Sequence, residues 1–244
     1  MKYIRTIPLL AIAIIVSQAF VNFQEKVNQG YSDKKEWSGS ALELHFQPVF
    51  QKKKIDLNAA AQKGAPSISM LRLYLSNFTF LKNDSIVFEE KNSCHLLDLE
   101  DENTLELKFA GLKNLDFDLL QFNLGIDSLT HVSGAMGGDL DPTKGMFWTW
   151  QSGYINFKIE GVFEKCPTRN HEFQFHLGGY LAPFQAVQSV QLKVLKGEHL
   201  VLQLNLSPFF EQVDWVKKYS IMSPAKEAVA ASRVLANSFS IHAE

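Results

Sequence analysis

Apolar and polar positions alternate through most of the chain from Leu42 onward. Leu42, Leu44 and Phe46 alternate with Glu43, His45 and Gln47, the period-two pattern of a strand with one buried face. Segments 68–75, 78–81, 86–88, 95–99, 105–109 and 117–124 continue the series. A glycine-rich, acidic loop over 133–142 follows, and then two further strands over 147–162 and 173–177. Segments 187–195 and 199–206 predict a hairpin around Lys196-Gly197-Glu198. Only 224–235 reads as a helix. Pro224 suits its first turn, and Ala225, Ala228, Val229 and Leu235 fall on roughly one side. Many short strands, frequent turns and one late helix predict an all-β fold, a single β-sandwich or partly open barrel with one C-terminal helix. No internal repeat and no break in composition divides the body.

The first residues follow another logic. Lys2 and Arg5 precede a compact apolar run over 7–16, too short to span a bilayer as a helix. Ser17-Gln18-Ala19 then places small residues at a cleavage position. This layout predicts a signal peptide over 1–19, cleaved after Ala19; an uncleaved anchor is the alternative. Residues 20–39 are polar and read as a flexible leader, which leaves 40–244 as the β domain. The mature chain holds no second long apolar run, so no membrane span is expected, and the location is periplasmic or secreted.

With 46% hydrophobic and 20% charged residues, the chain can bury a sizeable core. A formal net charge of -2 excludes the broadly basic surface that nucleic acid requires. Cys94 and Cys166 lack Cys-x-x-Cys spacing and stand far apart. Either they stay reduced or, as an oxidising compartment and a count of two suggest, they join two strands or loops in a disulfide.

Motifs for hydrolytic, nucleotide or zinc-protease chemistry are missing, so the chain reads as a binding protein rather than an enzyme. Asp127, Asp139 and Asp141 lie in or near the glycine-rich loop and offer oxygen ligands for calcium, but turn-forming Asp is the simpler reading. Of the seven histidines, His45 sits on the polar side of its strand. His176 alternates with Phe173 and Phe175 just before Leu177-Gly178-Gly179. Neutral imidazoles converging from different strands suit copper or zinc. Trp148 and Trp150 lie two apart, so one continuous strand would point both to the same side. They form either a core pair or an exposed platform for stacking a carbohydrate or peptide ligand.

The run Gly145-Met146-Phe147-Trp148-Thr149-Trp150-Gln151-Ser152-Gly153-Tyr154, continued to Gly161 and followed by Phe175-His176-Leu177-Gly178-Gly179, resembles the MbnP-like family of periplasmic copper-binding proteins associated with methanobactin. Leu73-Tyr74-Leu75-Ser76-Asn77, His95-Leu96-Leu97-Asp98, Gly125-Ile126-Asp127, Gly138-Asp139-Leu140-Asp141-Pro142 and Met222-Ser223-Pro224 agree in order. The resemblance spans about residues 40–242. It implies a secreted β-sandwich that binds one copper ion through histidines and a kynurenine. A MauG-like dihaem partner enzyme makes that kynurenine by oxidising a tryptophan. By position, the implied ligands are His45 and His176, and the implied modified residue is Trp148 or Trp150. Storage, scavenging or delivery of copper is the expected role. The alternative is a metal-free module that uses the Trp pair for stacking.

Overall fold

A computed structural model describes residues 41–243 except 113–115, 152 and 195–198. The expected signal peptide and leader therefore lie outside the described residues. The strands are β1 (Ala41–Phe50), β2 (Lys53–Lys54), β3 (Ser67–Lys82), β4 (Ser85–Glu89), β5 (Cys94–Asp98), β6 (Glu106–Ala110), β7 (Leu119–Leu124), β8 (Phe147–Trp148), β9 (Gly153–Val162), β10 (Glu172–Gly178), β11 (Gln188–Lys193), β12 (His199–Asn205), β13 (Ser220–Ile221) and β14 (Phe239–Ala243). The α-helices are short: α1 (Ser128–Val132), α2 (Ser207–Gln212) and α3 (Lys226–Ala236). The fold is all-β as the alternation predicts. The terminal helix begins two residues later than the sequence pattern suggests, and it is joined by α1 and α2.

The strands form two sheets. One has five strands in the order β14-β12-β1-β2, with β6 also on β1. The other has nine, in the order β11-β7-β3-β9-β10-β13, with β4 and β5 on β3 and β8 on β9. The alternation explains how they pack. Leu42, Leu44 and Phe46 of β1, Leu200, Leu202 and Leu204 of β12, and Phe173, Phe175 and Leu177 of β10 belong to one buried cluster. Burying these apolar sides against one another removes them from water and sets the sandwich. Phe122 of β7 stacks on Phe78 at 5.3 Å and meets Phe239 of β14 edge-on at 5.3 Å, so it joins the two sheets.

The nine-stranded sheet also buries part of its other side. Tyr74, Cys94, Leu96, Met136, Leu140, Met146, Trp148 and Tyr154 form a second cluster, roofed by the glycine-rich loop. Buried hydroxyls need partners, and here they hold the roof down. Tyr74 Oη donates to the Asp139 carbonyl at 2.9 Å, and Tyr154 Oη donates to the Leu140 carbonyl at 3.0 Å. Arg72 Nε donates to Asp98 Oδ2 at 2.7 Å, and its Nη1 donates to the Lys144 carbonyl at 3.2 Å. The loop's carboxylates are engaged locally. Asp127 caps α1 through Thr130 N, Asp141 accepts from Thr143 N, and Asp139 meets Lys144 Nζ at 3.0 Å. They act as turn and cap residues.

Several expectations need correction. The hairpin expected over 187–206 does not form, because β11 pairs with β7 in one sheet while β12 pairs with β1 in the other. Cys94 and Cys166 are both free and buried. Cys94 belongs to the cluster beneath the roof and Cys166 to the inter-sheet core. The nine-stranded sheet's packed layers keep them in different surroundings, and the expected disulfide is absent. Strand β14 follows α3 directly, and the sequence pattern did not reveal it. No helix among the described residues is long and apolar enough to cross a membrane.

Candidate functional site

The Trp-rich run is not one strand. Trp148 ends β8 opposite Gly153. The chain then turns, with Gln151 N donating to the Trp148 carbonyl at 3.3 Å. The turn separates the fates of the two indoles. Trp148 is 6% exposed and belongs to the roofed cluster, whereas Trp150 is 65% exposed. Their ring centroids remain 5.9 Å apart at 45°. The single-strand reading that put both on one side is corrected accordingly.

Trp148 lies over β10. A Cβ added at Gly178 would sit 2.8 Å from Trp148 Cζ3, so glycine at this position makes room for the indole. His176 is two residues earlier on the same strand. Its neighbours Phe175 and Leu177 enter the inter-sheet core, so the imidazole faces outward, toward the side on which Trp148 rests. His176 is buried and its Nε2 donates to Glu160 Oε1 at 2.7 Å. Burial lowers its pKa, the Glu160 hydrogen bond opposes this, and Lys158 lowers it further. With the proton on Nε2, the lone pair sits on Nδ1. This carboxylate–imidazole arrangement orients metal-binding histidines in general.

His45 is elsewhere. Leu44 and Phe46 of β1 also enter the inter-sheet core, so His45 faces outward from the five-stranded sheet. The two expected ligands thus lie on opposite outer sides of the sandwich, with both sheets and the core between them. The pairing of His45 with His176 in one pocket is corrected: alternation turns each imidazole away from the core its strand buries.

The structure instead brings His131, from α1, to the tryptophan end. Its ring stacks on Tyr180 at 4.8 Å and 12°, and its Nδ1 accepts from Tyr154 N at 3.1 Å. The ring's other nitrogen therefore carries the proton, and Nε2 is buried without a hydrogen-bond partner. A nitrogen carrying a proton offers no lone pair to a metal. Sequence reasoning gave His131 no role because its partners, Tyr154 and Tyr180, are distant along the chain. Burial lowers the pKa of His131 to about 4. The unfolded chain takes up that proton near the ordinary value of about 6.5, so stability is complete above that pH and is lost as pH falls toward 4. The expected loss is about 3 kcal/mol. Urea midpoints at pH 7 and pH 4.5 check it, with wild type losing more than His131→Phe; equal losses would contradict it.

Beside Trp148 opens a cleft of about 250 Å³, lined among others by Gln151, Tyr180, Pro183, Phe184 and Pro224. Its lining holds no Lys, Arg, Asp or Glu. Among the described residues, no group of three His, Cys, Asp or Glu side chains is arranged to hold a metal ion. Since the indole N–H is only a donor, the unmodified residues do not fit a copper site.

Two packed sheets, with one outer side roofed by a glycine-rich loop and a buried Trp at its edge, define a β-sandwich protein. The MbnP family profile matches residues 39–223, and the chain belongs to that family. A solved structure titled "MbnP from Methylosinus trichosporium" aligns with a TM-score of 0.50 at 16% identity, covering 76% of this chain and 81% of that one. No curated protein matches.

Proposed function

We propose that this is a secreted, periplasmic member of the MbnP family that handles copper, and that the copper site lies at the Trp148 end of β10. The observation that carries this reading is His176, buried and held by Glu160 through Nε2 so that its lone pair sits on Nδ1, on the strand against which Trp148 packs. Because the unmodified residues lack the donors, the site forms only after an indole becomes kynurenine. In that conversion the ring's C2–C3 bond breaks and C2 leaves as formate. C3 becomes a ketone and the ring nitrogen an aromatic amine, a donor of the kind copper accepts. The two oxygen atoms that the cleavage adds come from dioxygen or two equivalents of peroxide, water then releases the formyl carbon as formate, and a MauG-like dihaem enzyme is the proposed partner that catalyses the oxidation. The role is binding and transfer, not catalysis.

Burial beside β10 selects Trp148 over Trp150 as the residue converted. Trp148→Phe should leave the protein without tightly held copper, and Trp150→Phe should retain it, by metal analysis after co-production with the oxidising enzyme. Copper lost with Trp150 alone would overturn the assignment. A second reading rests on the uncharged cleft and the exposed Trp150, which together would stack a carbohydrate or peptide. It predicts ligand binding that Trp150→Ala removes and that no tryptophan oxidation is needed for.

A further inference from the structure

The outer side of the five-stranded sheet gathers histidines that no part of the copper reading uses. Register sets their positions. His45 of β1 lies opposite Val201 of β12, and Val201 lies opposite His242 of β14. His199 stands two residues before Val201 on β12. Leu200, Leu202 and Leu204 on β12, and Phe239 and Ile241 on β14, pack into the inter-sheet core. His199, Val201 and His242 therefore face outward with His45. Three imidazoles surround one valine.

We propose that His45, His199 and His242 form a site for an imidazole-preferring divalent cation of the zinc or copper(II) type. This proposal is independent of the tryptophan-derived site. Adjacent strands are about 4.8 Å apart, so His45 and His242 stand about 10 Å apart at the backbone. His199 lies between them and one pleat along. An imidazole leaning inward from each position reaches a shared point above Val201, with a metal–nitrogen bond of about 2.0–2.1 Å. The rings as described do not yet share such a point. His199 and His242 are exposed, and exposed side chains change rotamer freely.

The surroundings suit a cation. Glu106 lies opposite His45, and Glu43 Oε2 is 3.7 Å from His199 Nδ1. Lys108 Nζ sits 3.7 Å from Glu43 and 3.6 Å from Glu106, so these carboxylates act through the field and by orienting imidazoles rather than as ligands. Three neutral nitrogens with no thiolate favour zinc, copper(II) or nickel over calcium or magnesium. A fourth position stays open to water.

The test uses tag-free mature protein whose tryptophans are unmodified by mass. Zinc chloride and copper(II) sulfate are titrated separately by calorimetry. The site predicts one equivalent bound, and nitrogen hyperfine structure in the copper(II) electron paramagnetic resonance spectrum. His45→Ala and His242→Ala should each weaken binding at least about tenfold, equivalent to about 1.4 kcal/mol. His176→Ala should leave it unchanged. Wild-type affinity in both patch variants, no binding at all, or loss with His176→Ala would overturn the proposal. None of these results bears on the tryptophan-derived site, which is absent from unmodified protein.

Discussion

Replacing His176 by alanine should abolish tightly held copper in the oxidised protein. The change removes the imidazole that Glu160 holds through Nε2 on the strand that seats Trp148. Copper remaining after dialysis against a competing chelator reads the tight site and ignores weaker binding elsewhere. Glu160→Gln should keep the fold and still weaken copper binding by about 10–100-fold, because the amide holds the imidazole less firmly than the carboxylate does. His45→Ala should leave the tight site intact, since His45 faces outward from the other sheet. Full retention of copper in the His176 variant would contradict the placement of the site.

Phe122→Ala should cost about 3–5 kcal/mol of stability. Phe122 is fully buried and touches Phe78 within its own sheet and Phe239 across the sandwich. Truncation leaves a hole between two sheets whose strands cannot close it without breaking their ladders. The cost is therefore the lost transfer of the ring plus an unfilled cavity. Phe122→Leu fills more of the space and should cost clearly less. Chemical denaturation checks both, and a loss below about 1 kcal/mol for alanine, the typical size for any point mutation, would contradict the two-sheet core.

The sequence made individual strands legible because burial of one side writes itself as alternation. Leu42, Leu44 and Phe46 announce β1 without any knowledge of its partners. Partners are another matter. Segments 188–193 and 199–205 look like a hairpin, yet the chain between them crosses from one sheet to the other, and alternation does not encode which sheet a strand joins. Trp148 and Trp150 look like one strand side because nothing in their spacing marks the turn between them. His131 was invisible as a site residue, since it is held by a backbone N–H and a ring distant in sequence. The separation of His45 from His176 was in principle readable. Each is flanked by core residues, so each faces out, and outward residues of opposing sheets cannot meet. The family motifs drew attention to the tryptophan run and to His176. Only the packing of Trp148 onto Gly178 joins the two.

The most direct test of the copper reading is peptide mass mapping of the protein isolated from its native compartment, combined with copper analysis of the same sample. The account predicts that Trp148 has lost one carbon and gained one oxygen, with one tightly held copper per modified chain and none in unmodified chains. Tightly held copper on chains with both indoles intact, or fully converted Trp148 with no copper, would contradict it.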